Sequence, residues 1–330
     1  MKARLGWSAV AALLLGTACG GGDDEFVPTS LRLVTNGEFL RDQTVQIEVI
    51  GIDDKGKEQV LDEGLSFSSS DERVATVDET GLVTVHAGGP VTITVTAKLD
   101  SMKTPLTATI ETRATCEYPA YDTVLGQGKV FPPLAWPAYL PNGQPIFFKL
   151  ADVFCDADWD WVDTIHFVFS AGWCVPCSNY AMQLSQEAGA LRREGMMVVT
   201  VEIDTTSPGV PADANFAIDH LTELAHKAGV DQPAGIAAGD LDTHIWDEAT
   251  QSYVRSKNFL RRSNFIGFYP TRSIVRKRDM RMIVDGSANG PWAGYAFPLL
   301  DIARDPEADW SKPSGGIGEE PVEPRPGEGE

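Results

Sequence analysis

Two cysteines separated by two residues are the side chains best suited to chemistry. Cys174 and Cys177 follow the apolar run 167–173 and open a stretch with helical spacing. Thiols at positions i and i+3 of a first helical turn can close into a disulfide, and Pro176 fits that turn because amides there need no intrahelical partner. A thiolate at a helix N-terminus faces unsatisfied amides, which lower its pKa. We therefore predict reversible disulfide exchange, with Cys174 as the nucleophile and Cys177 as the resolving thiol.

Metal binding is the main alternative chemistry for this pair. A structural zinc site needs four ligands, and the spacing of the five histidines offers no matching second pair. Asp156, Asp158, Asp160 and Asp163 resemble the spacing of a calcium loop, but Trp161 stands at the required glycine position. We expect neither a metal nor any cofactor beyond the redox-active disulfide.

The cysteine motif resembles that of the thioredoxin superfamily, in particular the exported TlpA/ResA-like oxidoreductases, whose motif is Trp-Cys-x-x-Cys after a core strand. The resemblance covers about residues 146–303. It implies a thioredoxin fold in which Pro270 is a cis-proline lying against the cysteine pair. It also implies that Trp173, Tyr269, Pro270 and Thr271 contact an extended substrate.

One departure from the family concerns proton transfer. Thioredoxin carries a buried acid six residues before its first motif cysteine, and Val168 stands there in this chain. Glu202, Asp204 and His166 are possible substitutes, but a structural role for each is the favoured interpretation.

The surrounding pattern predicts the elements that position the motif. Apolar strand runs alternate with amphipathic helical stretches from residue 146 onward, which is typical of α/β domains. The stretch 229–263 exceeds what a minimal thioredoxin fold needs, and we expect an extra helix in it. The predicted strands are 164–170, 196–203, 273–276 and 280–285, and the predicted helices are 178–194 and 213–228.

The N-terminal half alternates apolar and polar residues in short runs, as in 45–49 and 91–96, and turn signals separate these runs. The pattern predicts a small antiparallel sandwich over 31–114. Four segments of it resemble the group 2 bacterial immunoglobulin-like domain, namely 67–71, 74–78, 81–83 and 88–95. The resemblance implies a spacer or adhesive module without catalytic residues. The predicted fold class is thus an all-β immunoglobulin-like sandwich followed by an α/β thioredoxin fold over 146–304.

The first eighteen residues have the pattern of a signal peptide, with Lys2 and Arg4 before a short apolar run. Their end resembles the lipobox of bacterial lipoproteins, which implies lipidation of Cys19. Residues 19–30 then form a flexible tether. We expect an envelope protein that is lipid-anchored and faces the periplasm or the cell surface.

Export places the cysteines in an oxidising compartment. Of the five cysteines, Cys116 and Cys155 then remain, and we predict a structural disulfide between them across the Pro- and aromatic-rich linker 115–145. An alternative is that they relay electrons to the Cys174 pair.

The charge of the chain argues against nucleic-acid partners. The net charge is -20, and loss of two basic residues with the leader makes it -22. The acidic tail 305–330 is predicted to be disordered. Nine basic residues lie between 255 and 281, either as a face paired with local carboxylates or as a patch that steers acidic partners.

These features together predict an envelope-anchored thiol-disulfide oxidoreductase that acts on exported protein disulfides, with a preference for the reductase direction. Its expected partners are exported proteins with thiols or disulfides and an upstream redox partner. The alternative is a non-catalytic envelope lipoprotein whose two domains only bind or space.

Overall fold

The structure is a computed structural model, and it describes residues 26–313. The predicted signal peptide, the lipidation site Cys19 and the last part of the acidic tail lie outside the described residues. Within residues 26–313, no helix is long and apolar enough to cross a membrane.

The first domain is a sandwich of two antiparallel sheets, as the alternation predicted. One sheet has the order β1-β2-β6-β5, with β3 also paired to β2, and the other has the order β4-β7-β8. Alternate residues of the long strands point into a shared core, which includes Val45, Val83 and Ile93. The strands are β1 (Ser30–Thr35), β2 (Thr44–Ile52), β3 (Glu58–Leu61), β4 (Leu65–Ser69), β5 (Ala75–Val77), β6 (Leu82–Val85), β7 (Gly89–Ala97) and β8 (Leu106–Ala114).

The second domain is built on a nine-stranded sheet with helices packed on it. Its elements are β9 (Ala135–Tyr139), β10 (Pro145–Lys149), α1 (Leu150–Cys155), β11 (Thr164–Ala171), α2 (Val175–Arg193), β12 (Met196–Asp204), α3 (Ala214–Lys227), β13 (Ile236–Gly239), β14 (His244–Asp247), β15 (Ser252–Arg255), α4 (Phe259–Arg262), β16 (Thr271–Arg276), β17 (Arg281–Asp285) and α5 (Leu299–Arg304). The strand order is β15-β14-β9-β13-β12-β11-β16-β17, with β10 on β9. Strands β11, β12 and β13 are parallel, whereas β16 and β17 run antiparallel to β11 and to each other. This arrangement is a thioredoxin-like fold.

Strand β11 lies at the centre of this sheet, and every one of its residues is buried. Its odd-numbered phenylalanines, Phe167 and Phe169, pack into an aromatic core with Phe131. Val168 points to the other face, against Leu184 of α2. A strand covered on both faces must be apolar throughout, and this explains its continuous hydrophobic run.

The linker prediction for 115–145 was wrong in its second half. Ala135–Tyr139 forms β9, which pairs with β10, β13 and β14 inside the main sheet. Trp136 in this strand is fully buried. The frequent prolines masked a five-residue strand, and Pro137 is accommodated between buried neighbours.

Two other boundaries differ from the sequence prediction. The stretch 229–263 contains the short helix α4, but most of its ordered structure is strands β13, β14 and β15. The disordered tail was predicted to begin at residue 305, which is too early, because Trp310 is buried. The carbonyl oxygen of Trp310 accepts a hydrogen bond from Nε1 of Trp292 at 2.7 Å.

The two domains contact each other through the segment that ends α1. The Gly88 N–H donates to the Cys155 carbonyl oxygen (2.8 Å), and the Ala157 N–H donates to the Gly88 carbonyl oxygen (3.1 Å). The Arg41 guanidinium donates to the Phe154 carbonyl oxygen (2.9 Å) and lies over the aromatic ring of Phe154. Cys116, just beyond the last strand of the sandwich, is bonded to Cys155. The disulfide therefore joins the exit of the first domain to its docking segment.

We expect replacement of this disulfide, in the double variant Cys116→Ser/Cys155→Ser, to lower the free energy of unfolding by about 4 kcal/mol. The reason is that the bond closes a loop with a sequence separation of 39, and chain entropy lost in the unfolded state grows with loop length. The matched control is Cys174→Ser/Cys177→Ser, whose separation is 3 and whose expected loss is about 2 kcal/mol. Urea unfolding measures both, and equal losses would contradict the prediction.

Candidate active site

The predicted cysteine pair lies at the N-terminus of α2. Cys174 is the N-cap residue, and its sulfur accepts a hydrogen bond from the Cys177 N–H at 3.2 Å. The two cysteines are bonded to each other, with Cα atoms 5.2 Å apart. Both are buried, Cys177 more fully than Cys174. Strand β11 ends at Ala171, so a turn of two residues delivers Cys174 directly to the positive end of the helix dipole.

The turn that contains the predicted cis-proline, Pro270, lies against this pair. The Tyr269-Pro270 peptide bond is cis. Tyr269 packs on a small buried cluster formed by Ala171, Cys174 and Cys177. Next to Pro270, the Thr271 hydroxyl donates to the Phe268 carbonyl oxygen at 2.5 Å and orders the turn.

Trp173 is held in place by a buried carboxylate. Its indole N–H donates to Oδ2 of Asp204 at 3.2 Å, and its ring meets that of Tyr269 edge-on at 5.6 Å. The Asp204 carboxylate also accepts from the Gly209 N–H (3.1 Å) and from the Arg261 guanidinium (2.7 Å). Trp173 itself stays 41% exposed. The indole is thus fixed at its polar edge and open at its face.

Glu202 is buried beneath the same loop. Its side chain is fully buried, and Oε1 accepts from the Ser170 hydroxyl (3.3 Å) and lies 3.0 Å from Nδ1 of His220 on α3. Glu202 pairs in register with Ser170, the neighbour of Ala171. Sequence reasoning gave no sign of His220, because nothing local indicates that α3 turns this residue toward the sheet.

Negative charge affects the tyrosine of the site. Burial, followed by the nearby Asp204 carboxylate, raises the pKa of Tyr269 to about 12. Glu202 and Asp240 raise this pKa further, whereas Arg261 lowers it. The phenol is therefore neutral at physiological pH and cannot act as a base.

His166, the third proposed proton acceptor, lies lower on β11 and has structural partners. Its Nδ1 lies 3.2 Å from the Ser273 carbonyl oxygen, and its Nε2 lies 2.8 Å from the Tyr180 hydroxyl. Burial, with a smaller contribution from Arg272, lowers its pKa to about 3. The ring is neutral and hydrogen-bonded on both sides, as expected of a structural histidine.

The second cysteine pair is distant from the first. Cys155 lines a cleft of about 430 Å³ with Asp163 and Lys277, at the amino end of β11. Cys174 follows the carboxyl end of that strand, and the eight residues of β11 span about 25 Å. Direct electron relay between the two pairs is therefore excluded in this conformation.

The basic run 255–281 is largely paired with local carboxylates. Most of its arginines and lysines have an acidic partner within 4.0 Å. Arg272 instead lies over the rings of Tyr180 and Phe297. The structure thus favours the interpretation of a paired face over that of a patch that steers acidic partners.

A family model matches the first domain of the chain. Residues 32–108 match the model of the bacterial Ig-like domain (group 2). No curated protein matches the chain. The chain combines this immunoglobulin-like domain with a thioredoxin-like domain, whose fold follows from its strand order.

Solved structures similar to the chain include two thiol:disulfide interchange proteins and an S-layer protein. A putative thiol:disulfide interchange protein DsbE from Chlorobium tepidum is 19% identical, with 48% of this chain and 82% of that chain covered and a TM-score of 0.29. A thiol:disulfide interchange protein from Bacteroides sp. is 12% identical, with 49% and 84% covered and a TM-score of 0.28. The S-layer protein rSbsC is 19% identical over 31% of this chain, with a TM-score of 0.23, and the chain covers only 17% of its length.

We expect Asp204→Asn to loosen Trp173. The amide keeps the shape of the side chain but loses the charge that pairs with Arg261, so the indole is held less firmly. The chain has eight tryptophans, so indole N–H resonances in an NMR spectrum should separate this one. Broadening confined to the Trp173 resonance is the expected result, and an unchanged spectrum would contradict it. Glu223→Gln is the control, because it removes a carboxylate from an ion pair whose two side chains are both exposed.

His166 makes stability depend on pH. An unfolded histidine binds a proton below pH 6.5, whereas buried His166 resists protonation down to about pH 3. Stability is therefore lost as pH falls through this window, by up to about 1.4 kcal/mol per pH unit. We expect His166→Gln to reduce the pH dependence of the free energy of unfolding, measured with urea between pH 4 and 7, by an amount that corresponds to at most one proton. If the free energies of unfolding of both proteins fell in parallel over this range, the assignment would be refuted.

Proposed function

We propose that this protein is a thiol-disulfide oxidoreductase that uses Cys174 and Cys177. The observation that supports this most strongly is a bonded cysteine pair at the N-terminus of α2, packed against Tyr269 of the cis-proline turn. A structural disulfide gains nothing from this position, whereas a reactive thiolate gains from the helix dipole and from the free amides of the first turn.

The reaction proceeds through two exchanges. The Cys174 thiolate attacks one sulfur of a substrate disulfide, and the other substrate sulfur leaves as a thiolate. Cys177 then loses its proton and attacks the Cys174 sulfur, which breaks the mixed disulfide and releases the second substrate thiolate. Two electrons have passed from the protein to the substrate, and the cysteines end as the disulfide seen in the structure.

Carboxylates around the pair favour the reductase direction. Asp240 and Glu202 lie near Tyr269 of the cis-proline turn, and each raises the pKa of its phenol. A nearby negative charge also disfavours the Cys174 thiolate relative to the disulfide. Strong oxidants such as DsbA owe their potential to a stabilised reduced form. The opposite electrostatics favour a protein that gives up its electrons.

Polypeptides are the proposed substrates, because the rim of the site is apolar and exposed. Trp173 and Val175 flank Cys174, Phe268 precedes the cis-proline turn, and Val210 lies beside Gly209, which bonds to Asp204. All four side chains are at least 39% exposed. Such a cluster suits an extended chain with apolar residues near its cysteine.

The cellular setting belongs to the same proposal. The signal-peptide pattern and Cys19 support export and lipid anchoring, and the immunoglobulin-like domain would space the catalytic domain from the envelope. Exported proteins would be the substrates, and an upstream reductant would recycle the Cys174 pair. The alternative, a non-catalytic binding lipoprotein, has less support, because such a protein needs no cysteine pair at a helix N-terminus.

A redox titration tests the central proposal. Soluble protein lacking the leader is equilibrated across a dithiothreitol series, and free thiols are trapped. We expect a reversible two-electron transition of the Cys174 pair at a potential near that of reducing thioredoxins, about -270 mV. Cys174→Ser should abolish it. A pair that stays in one state throughout would support the non-catalytic alternative.

The apolar rim gives a separate prediction about substrate class. Burial of a half-exposed apolar side chain contributes about 1 kcal/mol, so Phe268→Ser should raise KM for insulin disulfides about 5-fold. The rate with oxidised glutathione, which is too small to contact the rim, should stay unchanged. Val60→Ser, an exposed valine of the first domain, is the matched control. An equal loss with both substrates would argue against a polypeptide site.

A further inference from the structure

Glu202 differs from the other buried carboxylates near the cysteines in its hydrogen bonding. Both oxygens of Asp204 have donors, as described above. Asp240 accepts from the Thr243 hydroxyl (2.7 Å) and from the N–H groups of Leu260 (3.0 Å) and Arg261 (2.9 Å). Glu202 has both of its contacts on Oε1, and Oε2 is buried without a partner among the described residues. A fully buried carboxyl with one oxygen left free can take a proton at little cost in lost hydrogen bonds.

The sheet register brings this carboxyl to the base of the cysteine loop. Ser170, which donates to Glu202, directly precedes Ala171, and Ala171 packs against both cysteines. Side chains alternate along a strand, so Glu202 is on the same face of the sheet as Ser170 and the helices α2 and α3. Cys177 belongs to α2 and therefore lies on this same face of the sheet.

His220 is held under the same loop by close packing. Its ring stacks on Phe216 one turn earlier in α3, with centroids 5.4 Å apart. Phe216 in turn approaches the backbone of Gly172 so closely that a Cβ there would lie 2.6 Å from its ring. Only glycine allows this approach, which keeps the imidazole at 3.0 Å from Glu202. The His220 side chain is 11% exposed and so gives the buried carboxyl a route to solvent.

We propose that Glu202, oriented by His220, receives the proton that Cys177 loses when the mixed disulfide is resolved. This inference rests on the oxidoreductase function proposed above. In this step the Cys177 S–H bond breaks, its proton passes to the Glu202 carboxylate, and the Cys177 thiolate attacks the sulfur of Cys174. The proton then leaves through His220, and the released substrate thiolate gains one from solvent. Val168 on β11 has no group that can accept a proton, and Glu202 on β12 takes this role instead.

Other charges near the site limit which groups could replace Glu202. Asp204 is neutralised by Arg261, Asp240 is fully hydrogen-bonded, and the Tyr269 phenol holds its proton up to about pH 12. On α3, Glu223 pairs with Lys227 at the surface. Among the described residues, Glu202 and His220 therefore remain as the acid–base pair beneath the cysteine loop.

Stopped-flow reaction of the reduced protein with the aromatic disulfide dithiobis(nitrobenzoate) tests this assignment. Attack by Cys174 releases one coloured thiolate, and resolution by Cys177 releases the second, so the two steps appear as two phases. Cys177→Ser retains the first phase alone and identifies the second. At pH 7 a thiol of pKa about 8.5 is only about 3% ionised, so resolution needs a proton acceptor.

We expect Glu202→Gln to slow the second phase about 10-fold or more at pH 7 without slowing the first phase, because loss of the Glu202 charge does not disfavour the Cys174 thiolate. The deficit should shrink as pH rises, because hydroxide can then take the proton in place of a side chain. His220→Gln should slow the second phase less. Asp285→Asn, which changes a buried carboxyl hydrogen-bonded to Ser287 and Gln127, is the matched control and should match the wild type in both phases.

Three results separate the possible failures. A second phase unchanged in Glu202→Gln would overturn the assignment. A deficit of the same size at every pH would also overturn it, because it would show a purely structural role. If the wild type releases only one thiolate, or Cys174→Ser behaves like the wild type, the oxidoreductase proposal itself fails. A first phase that is not slowed shows in the same trace that the variant is folded.

Discussion

The contact between the N-terminus of α2 and the turn before β16 is the constraint on which the site depends. Cys174 and Cys177 begin the helix, and Tyr269 of the opposing turn packs on both of them. The contact exists because β11 and β16 are hydrogen-bonded neighbours from Thr164 to Phe169. Any shift in that register would move the turn away from the cysteines and leave a helix N-terminus with an ordinary pair of thiols.

The same constraint explains why the cysteines have polar groups on their buried side and apolar side chains on their exposed side. Strands β11 and β12 end side by side, and polar residues near their ends, Glu202 and Asp204 among them, have to be satisfied inside the protein. Asp204 does this by holding Trp173 and Arg261, whereas Glu202 is bound through Oε1 alone, by Ser170 and His220. Trp173 is consequently presented to solvent with its face free, next to the exposed apolar rim. The buried polar groups and the exposed apolar rim thus lie at one edge of the sheet.

The immunoglobulin-like domain meets the second domain away from the cysteine loop. Its contacts with the second domain lie near the amino end of β11, where Gly88 and Arg41 meet the end of α1. The cysteine loop follows the carboxyl end of the same strand. A domain that contacts this end lies away from the cysteine loop, and the bond from Cys116 to Cys155 ties the linker to the same docking segment.

Local features of the chain were readable from the sequence alone. The apolar run before Cys174, the helix after it and the alternation of the N-terminal strands each lie within one window of residues, where periodicity and capping act. The tertiary structure decided the rest. The strand at 135–139 was hidden because its place in the sheet depends on partners about 100 residues away, such as Ala237 and Ala238. The pairing of Glu202 with His220 likewise requires a strand and a helix to meet, and no local pattern encodes such a meeting.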